Sequence, residues 1–80
     1  MTIYTKLDKN ILGANLKTIR LNNNDTQDAI ANIIKTDQSN YSKYELGKNL
    51  TLTYLIIEFA RHYSVLIDWI CVKTKDSDIK

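Results

Sequence analysis

Gln38, Ser39, Asn40, Ser42 and Lys43 crowd into six consecutive positions, offering amide, hydroxyl and ammonium groups but no carboxylate. Side chains of these types hydrogen-bond base edges and phosphate oxygens; they recognise surfaces rather than make or break bonds. Groups that could do covalent chemistry are scarce elsewhere. The lone His62 has no companions at metal-ligand spacing, and Cys71 lies nine positions away with no third group to orient the imidazole. There is no Gly-rich phosphate loop, and Asp76 and Asp78 fall in a polar terminal stretch. These features argue against an enzyme, and against any cofactor or metal.

The polar cluster needs a rigid carrier. From Thr26 to Gly47 the chain reads T-Q-D-A-I-A-N-I-I-K-T-D-Q-S-N-Y-S-K-Y-E-L-G, two short helical patterns joined by a tight turn. Ala29, Ile30, Ile33 and Ile34 make the apolar side of the first; Tyr41 and Tyr44 make that of the second. Thr26 and Asp37 are suited to cap the two helices, and Gly47 to follow the end of the second. Two such helices, the second with a polar outer face over residues 37–45, form the helix-turn-helix arrangement that fits a DNA major groove. On pattern alone, the same face is equally consistent with ordinary solvated surface.

The rest of the chain supplies a scaffold. Eighty residues make one domain, and the absence of proline with only two glycines favours an all-α chain. The spacing predicts a first helix over Ile11, Leu12, Leu16 and Ile19, capped by Asp8 or Asn10 and ended by Asn22–Asp25. A fourth helix starts at Thr51 or Thr53 and carries Leu55, Ile56, Phe59, Ala60 and Tyr63; a fifth runs from about Val65 to Val72. Residues 1–9 are read as a flexible lead-in, 10–72 as the domain and 73–80 as a disordered tail. Net charge is only +2, so any affinity for nucleic acid must come from where charges sit. The unpaired Cys71 suits a reducing cytoplasm, and no apolar run approaches the length that spans a bilayer.

The residues resemble the Cro and phage-repressor (lambda-repressor-like) helix-turn-helix family over about three quarters of the chain. The likeness rests on Leu12-Gly13 with Leu16, Ile19 and Arg20; on Thr26-Gln27, Ala31 and Tyr41-Ser42-Lys43-Tyr44-Glu45 with Gly47; and on Ile56, Ala60, Val65 and Ile67-Asp68-Trp69-Ile70. It implies a compact five-helix domain whose third helix enters the major groove of double-stranded DNA. It also implies a structural salt bridge between Arg20 and Glu45. Three positions depart from the family pattern: Lys35 replaces the usual turn glycine, and Asp25 and Thr36 stand where apolar residues are usual.

On this reading Gln38, Ser39, Lys43 and Asn40 are assigned to base edges, with Gln38 able to pair with adenine N6/N7 and Lys43 with guanine O6/N7 or a phosphate. Asn40 and Ser42 flank the face and lean toward the backbone. Thr26, Gln27, Ser42, Lys48 and Asn49 are assigned to phosphates, and the family role of Gln27 includes bracing its recognition-helix neighbour. The expected protein is a transcriptional repressor, a homodimer on a palindromic operator, joined through Leu66, Trp69 and Ile70 of the apolar fifth helix. The alternatives are intramolecular burial of that helix, and a protein-interaction module of the same fold (antitoxin or developmental regulator) with weak or no DNA binding.

Overall fold

The computed structural model describes residues 7–71, and all regular structure among them is helical: α1 (Lys9–Asn22), α2 (Gln27–Ile34), α3 (Gln38–Glu45), α4 (Thr53–Tyr63) and α5 (Ile67–Cys71). The first three helices open with side-chain caps. Asp8 accepts from the Asn10 and Ile11 amides, Thr26 from Ala29, and Asp37 from Asn40. Each cap satisfies amide hydrogens that the helix leaves unpaired. The fourth begins at Thr53, one of the two starts expected from the sequence, but without such a cap. Leu52 stands at its N-cap position with no side-chain cap bond, while Thr51 is buried just before it.

Four helices end with one device, a residue in the left-handed region: Asn24 (φ 59°), Lys35 (φ 65°), Gly47 (φ 74°) and Ser64 (φ 57°). At the end of α2, for example, the Thr36 amide turns back to the Ala31 carbonyl, and at the end of α3 the Lys48 amide reaches Lys43. Only one of the four is glycine. The turn between α2 and α3 therefore keeps its geometry despite a lysine, at a steric cost on the order of 1 kcal/mol. Lys35→Gly is expected to raise stability by about 0.5–1 kcal/mol, read from the urea midpoint, because relief of strain exceeds the added chain entropy.

The core joins Leu12, Leu16 and Ile19 of α1 to Ile30, Ala31 and Ile34 of α2, Tyr41 and Tyr44 of α3, Leu55, Ile56, Phe59 and Ala60 of α4, and Ile70. α1 packs on both α3 and α5, while α2 and α4 close the other side. Two boundaries move. Leu7 packs against the core, Asp8 is a cap and Lys9 is helical, so the domain begins before residue 10. α5 is shorter than its apolar run, because Ser64 adopts left-handed backbone and the Val65 amide folds back to Ala60, leaving Val65 and Leu66 in the turn. Residues 72–80, including Val72 and the tail, lie outside the described residues, as do residues 1–6.

The close approach of α1 to α3 needs Gly13. A Cβ built there would meet the main-chain oxygens of Tyr44 and Glu45. Ile70, assigned to a dimer contact, is instead wholly buried (0% exposed) within this chain. The α1 residue Asn15 donates to the carbonyls of Trp69 and Ile70, which helps hold α5 in place. Leu66, by contrast, is 76% exposed.

Candidate nucleic-acid interface

The polar face of α3 is anchored from beneath by a chain of charged and amide groups. Arg20 Nε donates to Glu45 Oε2 at 2.6 Å and Arg20 Nη2 to Glu45 Oε1 at 3.0 Å, a bidentate pair joining α1 to the end of α3. A third guanidinium hydrogen goes to the Asp25 carbonyl at 2.8 Å. Gln27 Nε2 then donates to Glu45 Oε1 at 3.0 Å, and Gln38 Nε2 donates to Gln27 Oε1 at 2.7 Å. The series Arg20–Glu45–Gln27–Gln38 runs from the buried interior to the first exposed turn of α3.

The ionisation of these groups follows from burial and bonding. Burial pushes the Glu45 carboxyl up, but the Arg20 and Gln27 donors, with the Tyr41 phenol close by, hold it below the usual carboxylate range. The Glu45 partnership raises Arg20 further still. Tyr41 is fully buried beside this pair, and desolvation together with the Glu45 charge keeps its phenol protonated far beyond the ordinary range. The series thus carries one fixed cation and one fixed anion at neutral pH.

Two of the family departures are absorbed by hydrogen bonds. Asp25 accepts from the Tyr63 hydroxyl at 2.7 Å, and Thr36 Oγ1 is bonded to the Asn40 amide at 3.0 Å. Asn40 also bonds the Tyr44 hydroxyl at 3.1 Å. Asn40 is therefore tied into the flank of α3, half-buried, rather than standing free with its neighbours. Nothing in residue type or spacing announced the Glu45–Gln27 bond, since it joins groups 18 positions apart. The Asp25–Tyr63 bond was equally silent; its one trace was a polar residue at an apolar position.

The remaining assigned residues lie as follows. Gln38, Ser39 and Lys43 are exposed on α3, with Ser39 and Lys43 one turn apart on one face. Ser42 is half-buried at its edge. Thr26 and Gln27 sit at the start of α2 and Lys48 and Asn49 just past α3, so the two groups flank the polar face. After bonding Gln27, the Gln38 amide keeps one hydrogen and its carbonyl oxygen, the pair needed to face an adenine edge. Lys43 and Lys48 make no ion pair among the described residues. Among those residues there is also no cluster of three or more His, Cys, Asp or Glu that could hold a metal, and no helix long and apolar enough to cross a membrane.

Such a pair, a buttressed α2 beneath an α3 with a free polar face, defines the helix-turn-helix class. Residues 13–69 match the family model described as a helix-turn-helix domain, and the chain belongs to that family, in its Cro and phage-repressor branch. A search of curated proteins gives no match. Similar solved structures include the clp gene regulator ClgR from Corynebacterium glutamicum, 18% identical with a TM-score of 0.75 over 81% of this chain and 69% of that one. The restriction-modification controller protein C.AhdI from Aeromonas hydrophila is 19% identical, with a TM-score of 0.73 over 79% and 96%. A hypothetical transcription factor, NHTF, from Neisseria is 17% identical, with a TM-score of 0.78 over 95% and 93%. At these identities the likeness is one of fold.

Proposed function

We propose that the protein is a transcriptional regulator that binds double-stranded DNA sequence-specifically, with α3 in the major groove. The observation that carries this reading is the exposed face of Gln38, Ser39 and Lys43 held on a buried ionic anchor. A merely solvated face has no need of an amide pre-set by Gln27, itself fixed by Glu45. Gln38 and Ser39 read base edges, with Gln38 facing adenine, and Lys43 reaches guanine or a phosphate. Thr26, Gln27, Ser42, Lys48 and Asn49 hold the backbone on either side. Asn40, engaged with Thr36 and Tyr44, sets the flank of the helix more than it reads sequence. Regulator and controller are words attached to ClgR and C.AhdI, and they extend here to this chain.

One such domain offers little contact for tight binding, and two copies on half-sites about one helical turn apart would double it. Leu66, largely exposed, lines a mostly apolar groove with Ile19, Val65 and Trp69, closed on one side by Asn22 and Asn23. A second copy related by a two-fold axis could place its Leu66 there, so Leu66 and Trp69 remain the dimer anchors and Ile70 acts only from within the core. A repressor covering a palindromic operator is the simplest form of this regulator.

Selection of duplexes from a random library, followed by footprinting, tests the reading. Recovery of a two-fold symmetric site is expected, and Gln38→Ala or Lys43→Ala should each weaken binding to it by about 1–3 kcal/mol in a gel-shift titration. Enrichment of no sequence would refute it and favour a protein-binding member of the fold.

A further inference from the structure

The first turn of α1 folds against the far end of α3. Asn10 lies on Gly47, where an added Cβ would strike its side chain, and Gly13 lies on the carbonyls of Tyr44 and Glu45. Lys9 Nζ approaches the Lys48 carbonyl oxygen at 3.4 Å. The Lys48 amide, in turn, bonds the Lys43 carbonyl at 3.0 Å. These contacts gather Lys9, Lys43 and Lys48, all exposed, around one corner of the molecule. No carboxylate lies within ion-pair distance of any of them among the described residues, whereas Arg20 and Arg61 are both paired. The acidic groups nearest in the chain are already engaged, Asp8 as the cap of α1 and Glu45 with Arg20.

From this placement we infer that Lys9 is a DNA-backbone contact, so that the interface extends from the helix-turn-helix onto the start of α1. Lys9 and Lys48 would grip a phosphodiester beyond the end of α3, with Lys43 on the groove side of the same corner. The inference rests on the DNA-binding reading. A lysine on a phosphate positions the protein without reading bases. Each such contact releases a counterion, adding about 0.9 to the slope of log K against log salt. A cap on the carbonyl end of α3, the other role open to this ammonium, would alter melting and leave the slope alone.

The test measures the full-length Lys9→Gln protein, with wild type and Lys9→Arg, on the selected duplex and on a scrambled one across several salt concentrations. Lys9→Gln should flatten the slope by about 0.9 and weaken both duplexes by the same factor, with base preference and melting temperature unchanged. Lys9→Arg should keep the wild-type slope. A wild-type slope in Lys9→Gln overturns the Lys9 contact while leaving the DNA-binding reading intact. Failure of the wild-type protein to retard either duplex overturns both.

Discussion

Replacing Glu45 with glutamine is expected to destabilise the domain by about 3 kcal/mol at neutral pH, because an uncompensated guanidinium would remain in the interior. The two side chains are only 9% and 2% exposed, so solvent offers Arg20 little replacement for the lost charge. For a domain whose whole stability is of the order of 5–15 kcal/mol, that is a large fraction. The loss should depend on pH with a definite sign. Glu45 is held below the usual carboxylate range in the folded state, so its contribution is fully present above the unfolded carboxyl pKa and disappears as pH falls through the lower, folded value. Urea midpoints of wild type and Glu45→Gln should therefore differ most at neutral pH and converge in acid. Parallel curves across that range would show that ionisation of Glu45 adds no stability, and coincident curves that the pair contributes none at all.

Gly13→Ala is expected to cost about 1–3 kcal/mol, the usual range for overpacking a well-filled core. Helix propensity argues the opposite, since alanine is favoured over glycine by about 1 kcal/mol in a helix interior. Sterics should win here. The added methyl would stand 2.8 Å from the Glu45 carbonyl oxygen and nearer still to that of Tyr44, and both obstacles are backbone, not a side-chain tip that can swing aside. Relief requires moving α1 off α3, which also strains the Arg20–Glu45 pair. Thermal melting decides between the effects: a lower melting temperature follows from the packing, and a higher one would mean that the helices are not in such close contact.

Much of this fold is legible in the sequence because its signals are local. Thr26 and Asp37 bond amides three positions ahead, and Gly47 supplies its own left-handed backbone. The apolar spacing of Leu12, Leu16 and Ile19 needs no partner to be visible. Misreadings arose where tertiary structure decides. The run from Val65 to Val72 looks like one apolar helix, yet its first residues are spent closing the Ser64 turn. Ile70 looks no different from Leu66 in the sequence, but one is enclosed by the core and the other faces solvent. Lys35 reads as an obstacle to the α2–α3 turn, although three of the four left-handed helix ends here manage without glycine. In the candidate interface, residue types pointed to Gln38, Ser39 and Lys43. The bond from Gln27 to Glu45, and the engagement of Asn40 by Thr36 and Tyr44, emerge only when the helices are placed.

The central claim is that the outer face of α3 meets DNA. Backbone amide chemical shifts of the isotopically labelled protein, followed during titration with the selected duplex, test it directly. The largest changes should fall at residues 26–28, 38–43 and 48–49, while the α4 surface around Tyr54 and Glu58 stays still. Changes confined to α4 and α5, or none at all in the presence of duplex, would contradict it.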